Sequence, residues 1–525
     1  MTPDELKENG LRLLKKGQKG LVHALFSRLG LFLLLLGAEV LLLFGAFRWF
    51  AQLLPHFIGG AAVFTVAMVL YLLNTRLNAT AKITWLVVFM VLPVAGPVLF
   101  WLVQSDLGHR VEKARVEELL RLTRSALPPQ AQALAELERR DPGAAALARY
   151  VGSCGCHPVY QNTGVTYFPL GEDMWQRLLE ELERAEKFIF LEYFIIDEGI
   201  MWGRILEILA RKAAQGVDVR VLYDGTCEFA TLPHDYPRRL AGLGIQCRAF
   251  APVVPLVSTH YNYRDHRKIL VIDGHTAFNG GVNLADEYIN RAEKYGHWKD
   301  TAVMLKGEAA RSFTLLFLQM WNVTDRSPRF GDLLDAPVPA RQAAGFVMPF
   351  GDCPLDEDKV GEQVYMDILN RATDHVYIMS PYLILDGELQ SALEFAARRG
   401  VDVRLILPGV PDKAAPYALA KTHYAALLDA GVRIFEYTPG FVHAKVFAAD
   451  GREAVVGTIN LDYRSLYHHF ECATWMYGTD CIRDIEADFA ATQARCRAVD
   501  KATVWQNAPA LRLLGPVLKA VAPLL

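Results

Sequence analysis

Residues 262–283 read NYRDHRKILVIDGHTAFNGGVN, and residues 440–460 read GFVHAKVFAADGREAVVGTIN. Both contain His-x-Lys-x4-Asp, as His266/Lys268/Asp273 and His443/Lys445/Asp450. In each copy Gly-x-x-Asn follows the Asp at the same spacing, as Gly280–Asn283 and Gly457–Asn460. A lone copy in a chain of 525 residues would carry little weight, but two copies with the same long extension are hard to obtain by chance. The duplication decides the fold, because it makes the chain two versions of one unit.

Chemistry explains why two copies are needed. One imidazole can attack phosphorus while a second protonates the departing alkoxide. Two Lys ammonium groups and the amides of Asn283 and Asn460 can hold the non-bridging oxygens, where charge builds. In a strand, side chains i and i+2 share a face, so the His and Lys of each copy converge on one phosphate. These residues resemble the HKD signature of the phospholipase D superfamily. That signature counts Asp273 and Asp450 as catalytic together with His266, Lys268, His443 and Lys445. In this sequence each Asp precedes Gly at a strand end and faces away from the His by parity, which reads as structural. The carboxylates that orient the imidazoles are expected later, at Asp300 in HWKD and Glu471 in HHFE. Arg464 and Ser465 are candidates for supporting or phosphate contacts. Tyr261 and Tyr263 could line a lipid entry or simply pack in the core.

Outward from these motifs the chain alternates strand and helix signals, and the second half replays the first. Phe188–Ile196 (FIFLEYFII) reads as a buried strand and Gly203–Ala214 as a helix, and Val376–Met379 and Leu389–Arg399 answer them. Gly216–Asp224 (GVDVRVLYD) is repeated as Gly400–Pro408 (GVDVRLILP) at nearly the spacing that separates the two His motifs. Such a near-constant offset points to a duplication with a site in the cleft between the halves. The expected organisation is a membrane region over 1–105 and a charged helical connector over 106–152. Domains over 153–330 and 351–510 follow, separated by a proline-bearing linker at 331–350, and an apolar tail occupies 511–525.

Composition is 52% hydrophobic, high for a purely soluble enzyme, and the excess lies at the front. Runs 29–47, 57–73 and 83–103 are apolar; the first and third are long enough to cross a bilayer and the second is at the lower limit. Lys7, Arg12, Lys15, Lys16, Lys19 and Arg28 precede the first run, which puts the N-terminus in the cytoplasm. Pro93, Gly96 and Pro97 break the third run, so two or three crossings are possible. Two crossings leave the catalytic body cytoplasmic, and that is the preferred reading. A net charge of −3 gives no global pull towards nucleic acid, and no basic stripe with interleaved aromatics is visible. The eight cysteines form no C-x2-C pair, and no H-E-x-x-H, EF-hand or P-loop occurs. Neither a metal nor another cofactor is expected.

The surroundings narrow the superfamily. NYRDHRKILVIDG, GGVNLADEY (280–288), HWKDTAV (297–303), PYLI (381–384), GFVHAK (440–445) and NLDYRSLYHHFE (460–471) follow in order behind apolar segments. In this order they resemble bacterial cardiolipin synthases of the phospholipase D type. One departure is His469, where Asn is expected before Phe470 and Glu471. The resemblance implies two duplicated phospholipase D-like α/β/α sandwich domains packed face to face, preceded by N-terminal transmembrane helices. It also implies a multi-pass bacterial membrane enzyme that moves a phosphatidyl group between two phosphatidylglycerol molecules, giving cardiolipin and glycerol. His266 is taken as the nucleophile and His443 as the acid/base, though a pseudo-symmetric site gives the sequence little to choose with. A phosphodiesterase using water or another alcohol is the alternative.

Overall fold

The computed structural model describes residues 60–92, 95–104, 110–252, 263–324, 330–356, 358–504 and 511–522, with a few isolated positions nearer the N-terminus. The first half contributes β1 (Gly164–Phe168), β2 (Phe188–Tyr193), β3 (Asp218–Asp224), β4 (Gln246–Phe250), β5 (Arg264–Asp265), β6 (Lys268–Ile272), β7 (Thr276–Gly280), β8 (His297–Lys299) and β9 (Ala302–Lys306). The second half contributes β10 (Phe346–Asp352), β11 (His375–Met379), β12 (Asp402–Pro408), β13 (Arg433–Tyr437), β14 (Gly440–Val442), β15 (Val446–Ala449), β16 (Glu453–Gly457), β17 (His469–Tyr477) and β18 (Cys496–Val499).

The main sheets run β1-β9-β7-β6-β2-β3-β4 and β10-β17-β16-β15-β11-β12-β13-β18. Under the repeat, each strand of the first sheet has its counterpart at the same place in the second, and β18 adds an edge. β2, β3 and β4 are parallel neighbours, as are β11, β12 and β13. Every residue of β2 is buried, as expected of a strand covered on both faces. Its alternation sorts the two layers. Ile189 and Leu191 pack with Leu178, Trp202, Ile205 and Leu209 of helices Gly171–Glu183 and Ile200–Ala214. Phe188 and Phe190 pack with Phe313 and Phe317 of helix Ala310–Trp321 on the other face. In the second half Val376 and Ile378 meet Val364, Ile368 and Leu393. Met379 meets Ile482, Ile485 and Phe489 of helix Cys481–Gln493 on the other face.

Two short strands tie the halves together, and both lie next to a motif histidine. β5 pairs in parallel with the start of β17, placing Arg264 opposite His469, and β14 pairs in parallel with β8, placing Val442 opposite Lys299. Each strand entering a His motif is therefore held by the other half.

Some segments differ from the sequence reading. Within 106–152, helices Ala131–Arg140 and Pro142–Cys154 are more than solvated connectors. Their Ala133, Leu137, Ala144, Leu147, Ala148 and Val151 are buried in the core of the second half. These small and apolar residues recur at helical spacing beneath a charged exterior. The 331–350 linker is structured at both ends, with helix Gly331–Leu334 and with β10 beginning at Phe346.

At the N-terminal side, run 57–73 contributes helix Gly60–Leu73 of 14 residues. Run 83–103 forms two helices, Ala79–Val91 and Ala95–Gln104, on either side of Pro93. Leu72, Trp85, Phe89 and Phe100 gather them into a small buried cluster. Gly96 permits the close approach, since a Cβ there would meet the Val88 carbonyl oxygen at 2.8 Å. Among the described residues no helix is long and apolar enough to cross a membrane, so the expected transmembrane helices are not seen as such. All of run 29–47 but Leu41, Phe44 and Gly45 lies outside the described residues, as does Tyr261. The C-terminal segment forms helix Leu511–Val521. The Thr84 hydroxyl donates to the Ala520 carbonyl at 2.9 Å, linking this helix to the N-terminal ones.

Candidate active site

His266 follows β5, and its backbone N–H donates to the Phe470 carbonyl across the half-to-half pairing, at 3.0 Å. That bond brings Glu471 alongside the ring, and Nδ1 of His266 lies 2.9 and 3.0 Å from the two Glu471 oxygens. The other half mirrors this arrangement. The His443 N–H donates to the Lys299 carbonyl at 2.7 Å, and His443 Nδ1 lies 2.7 Å from Asp300 Oδ2. Each imidazole is thus oriented by a carboxylate of the opposite half, with Nδ1 engaged and Nε2 left for chemistry. Gly281 leaves room for the second pair, since a Cβ there would overlap Asp300 and crowd the His443 carbonyl.

Lys268 and Lys445 are at most 2% exposed. Their Nζ atoms donate to the His266 and His443 carbonyls at 2.6 and 2.5 Å, and Lys445 Nζ lies 3.1 Å from His443 Nε2. The i/i+2 geometry of a strand delivers this, with side chains two apart on one face.

Electrostatics separate the two half-sites. Burial pushes both histidines well below the ordinary imidazole value; Glu471 opposes the shift at His266, while Lys445 adds to it at His443. Burial also lowers Lys268 to about 8 and Lys445 to about 7. Burial would raise Glu471 too, but the His266 ring and its hydrogen bond outweigh it and hold the carboxyl well below the usual range. Asp300 goes the other way, pushed up to about 7 by burial despite Lys445. A phosphodiester anion entering between the lysines would favour their charged forms.

The remaining expected residues divide. Asp273 and Asp450 sit at φ 52° and 54°, on turns at the far ends of β6 and β15. Asp273 accepts from the backbone N–H groups of Glu186, Lys187 and Phe188 at 2.7–2.9 Å. Asp450 accepts from those of Thr373, Asp374 and His375 at 2.8–3.0 Å. At a strand rise of about 3.3 Å per residue they stand about 20 Å along the chain from the histidines, so the structure does not bring them to the other motif residues: their carboxylates pin strand ends. Asn283 is largely committed, accepting from the Ile195 N–H at 3.0 Å and donating to the Tyr288 hydroxyl at 2.8 Å. Asn460 is buried with an Oδ1 that has no partner among the described residues. Asp462 caps a short helix by accepting from the Ser465 N–H at 2.9 Å, and the Ser465 Oγ is buried without a partner among the described residues. Arg464 lies on the same helix, Tyr463–Tyr467.

Several residues in or beside the motif segments line the site, though sequence alone assigned them no role. Phe194 packs edge-on against His266 with ring centroids 5.0 Å apart, and Tyr288 packs edge-on against His443 at 5.3 Å. Trp298 and Phe441 complete the wall around His443, at 5.6 and 5.9 Å. Beneath His266, Arg267 pairs with Glu192 at 2.5 Å, both side chains at most 4% exposed. Arg264 lies 3.7 Å from Asp224 in the same layer. Comparing the two halves strand by strand would have flagged the aromatics, since each borders the strand or turn beside a motif.

Comparison with known proteins agrees with this geometry. A family model described as cardiolipin synthase, PLD-like domain, matches residues 178–321 and 365–492. A cardiolipin synthase of Geobacillus kaustophilus is 33% identical over 95% of this chain and 99% of its own. An uncharacterized protein of Streptococcus mutans serotype c is 54% identical over 88% of this chain and all of its own. Among solved structures, phosphatidylserine synthase of Haemophilus influenzae superposes with a TM-score of 0.54 at 16% identity, covering 69% of this chain and 95% of that one. At that identity the superposition speaks for the fold alone. Taken with the repeated sheet order and the two cross-paired histidines, the matches place the chain in the cardiolipin synthase family of phospholipase D-like proteins.

Proposed function

We propose that the protein is a cardiolipin synthase that transfers a phosphatidyl group from one phosphatidylglycerol to another through a phosphohistidine. The cross-paired His266–Glu471 and His443–Asp300 dyads, with two buried lysines beside them, carry this reading.

His266 is assigned as nucleophile because its partner carboxyl is held firmly ionised. Glu471 fixes the proton on Nδ1, so the Nε2 lone pair faces phosphorus. That nitrogen forms the P–N bond as the P–O bond to glycerol breaks, and protonated His443 gives its proton to the departing oxygen. Glycerol leaves. A hydroxyl of the second phosphatidylglycerol then loses its proton to His443, its oxygen attacks phosphorus, and the P–N bond breaks to give cardiolipin. Lys268 and Lys445 balance the negative charge on the five-coordinate phosphorus in both steps. The amide of Asn460, the Ser465 hydroxyl and Arg464 are assigned to supporting or headgroup contacts, and Asn283 acts through Tyr288 on His443.

The lipid surface is assigned to the N-terminal helices and the C-terminal helix. Val63, Val66, Leu70, Ile83, Met90 and Val91 are all more than half exposed, as is Val517. Exposed apolar side chains on these helices suit a bilayer better than water. Multi-pass insertion, with the catalytic halves on the cytoplasmic side, rests on the apolar runs and the basic residues before the first of them.

The deciding experiment supplies phosphatidylglycerol in mixed micelles to the purified, intact enzyme and quantifies lipid products and free glycerol. Cardiolipin and glycerol in equal amounts are expected, with phosphatidic acid minor. Water at about 55 M wins unless the site excludes it, so dominant phosphatidic acid would overturn the synthase reading and favour hydrolysis.

A further inference from the structure

Beside His266 stands another buried imidazole to which the transfer chemistry gives no task. His469 stands two residues before Glu471 on β17, so both side chains lie on one face of the strand. It is 9% exposed, its ring centroid is 5.2 Å from that of His266, and its Nδ1 is buried without a hydrogen-bond partner among the described residues. Nδ1 of His469 lies 3.6 Å from Glu471 Oε1, which lies 2.9 Å from His266 Nδ1. One ligand atom from each of His266, His469 and Glu471 falls within 4.8 Å of the other two.

Those separations match a metal centre. Four-coordinate zinc, with bonds of about 2.0–2.1 Å, sets its ligand atoms about 3.3 Å apart, between the two separations seen here. Two imidazoles and one carboxylate suit zinc and its neighbours, whereas magnesium and calcium favour all-oxygen shells. A way in exists. A cavity of ≈ 390 Å³ is lined by His469 together with Asp352, Asp356 and Asp358, against Arg76 and Lys359. The Thr458 hydroxyl already donates to the second Glu471 oxygen, holding that carboxylate in place.

We propose that His266, His469 and Glu471 form a site for a zinc-class divalent cation, and that its occupation switches the transfer off. The ion would take His266 Nδ1, and the proton now there would pass to Nε2. The imidazole stays neutral, but the lone pair that attacks phosphorus is gone. The inhibitory consequence rests on the phosphatidyl-transfer reading; the binding site does not.

The test uses the full chain in detergent, stripped with EDTA and titrated with Co2+ and then Zn2+. Co2+ should give visible bands of a four-coordinate nitrogen/oxygen site, without the thiolate charge-transfer band that any cysteine would add, and Zn2+ should bleach them. Turnover on phosphatidylglycerol should fall in step with Zn2+ occupancy, recover with EDTA, and ignore Mg2+ at the same concentration. His469→Asn and His469→Gln, each scored against its own metal-free rate, should weaken Co2+ affinity and zinc inhibition by about tenfold or more, the scale on which lost metal-site support is felt. No Co2+ band with the wild-type chain, or equal zinc sensitivity in wild type and both variants, overturns the proposal. Should the enzyme prove inactive on phosphatidylglycerol, the Co2+ titration still decides the site, which separates failure of the site from failure of the transfer reading.

Discussion

Glu471→Gln keeps the shape of the residue that orients His266 and removes its charge. In wild type both carboxylate oxygens lie within 3.0 Å of His266 Nδ1, and the side chain is fully buried. When His266 bonds to phosphorus its ring becomes cationic, and Glu471 is the nearest anion. Charge centres about 4 Å apart interact by about 4 kcal/mol at an effective dielectric near 20. At about 1.4 kcal/mol per decade, losing that interaction slows formation of the phosphoenzyme by about three orders of magnitude. The assay is rapid-quench release of glycerol in a single turnover, beside steady-state rates and a melting curve. The expected result is a fall in kcat with KM and melting temperature little changed. A rate within about tenfold of wild type, in a folded variant, would refute the electrostatic role assigned to the pair.

Asp300→Asn provides the contrast, because burial has already pushed Asp300 up to about 7. Below that pH the wild-type carboxyl is protonated and cannot stabilise a charged His443; above it the anion is present. The wild-type kcat should therefore pass through a maximum near 7, falling below it as Asp300 is protonated and above it as Lys445 loses its charge, and Asp300→Asn should lose the acid limb while slowing the reaction less than Glu471→Gln. A wild-type profile flat through this range would count against the His443–Asp300 dyad as the acid/base.

Three further outcomes are expected. His266→Ala and His443→Ala should each abolish turnover on phosphatidylglycerol, but with a phosphatidyl ester of p-nitrophenol, whose departure needs no acid, only His443→Ala should still give a burst of phenolate; a burst from His266→Ala instead would reverse the assignment. Asp273→Asn keeps a residue tolerant of φ 52° while weakening the N–H contacts, so it should cost about 2 kcal/mol and about 4–8 °C in melting temperature, with kcat of the folded enzyme unchanged. His375, hydrogen-bonded to Glu486 and Asp374 and raised to about 9, contributes stability that is complete below 6.5 and lost as pH rises through 9; His375→Asn should flatten the fall in melting temperature across that window.

Local pattern carried far into the fold. The largely apolar character of FIFLEY and KILVI, interrupted only by Glu192 and Lys268, matches β2 and β6, whose residues are buried at every position. The near-identity of GVDVRVLYD and GVDVRLILP corresponds to β3 and β12, which occupy equivalent places in the two sheets. Strand parity also turned Asp273 and Asp450 away from the histidines, and the turns at their positive φ agree. What the pattern lacked was anything long-range. The helices Ala131–Arg140 and Pro142–Cys154 are charged on the outside and precede the first half, yet their apolar stripe fills the core of the second half. Phe194 and Trp298 received no role because a wall residue is defined by what lies across the cleft, which a comparison of the halves can suggest but spacing along one strand does not encode.

The pairing of histidines with carboxylates is the clearest instance. Sequence pointed to Asp300 and Glu471 as orienting groups but could not say which ring each one serves. Chain proximity would join Asp300 to His266 and Glu471 to His443, since each is the nearer in sequence. The two parallel bridges, β5 to β17 and β14 to β8, reverse that and cross the partners. Crossing has a chemical consequence. Neither half can orient its own histidine, so a complete site exists only when the halves are docked in this register. The docked site is also unequal: Glu471 is bracketed by His266, His469 and the Thr458 hydroxyl, whereas Asp300 has His443 and a backbone N–H. The His266 ring and its hydrogen bond hold Glu471 ionised, while burial pushes Asp300 up to about 7. A duplicated sequence thereby yields one ring suited to attack phosphorus and one suited to move a proton.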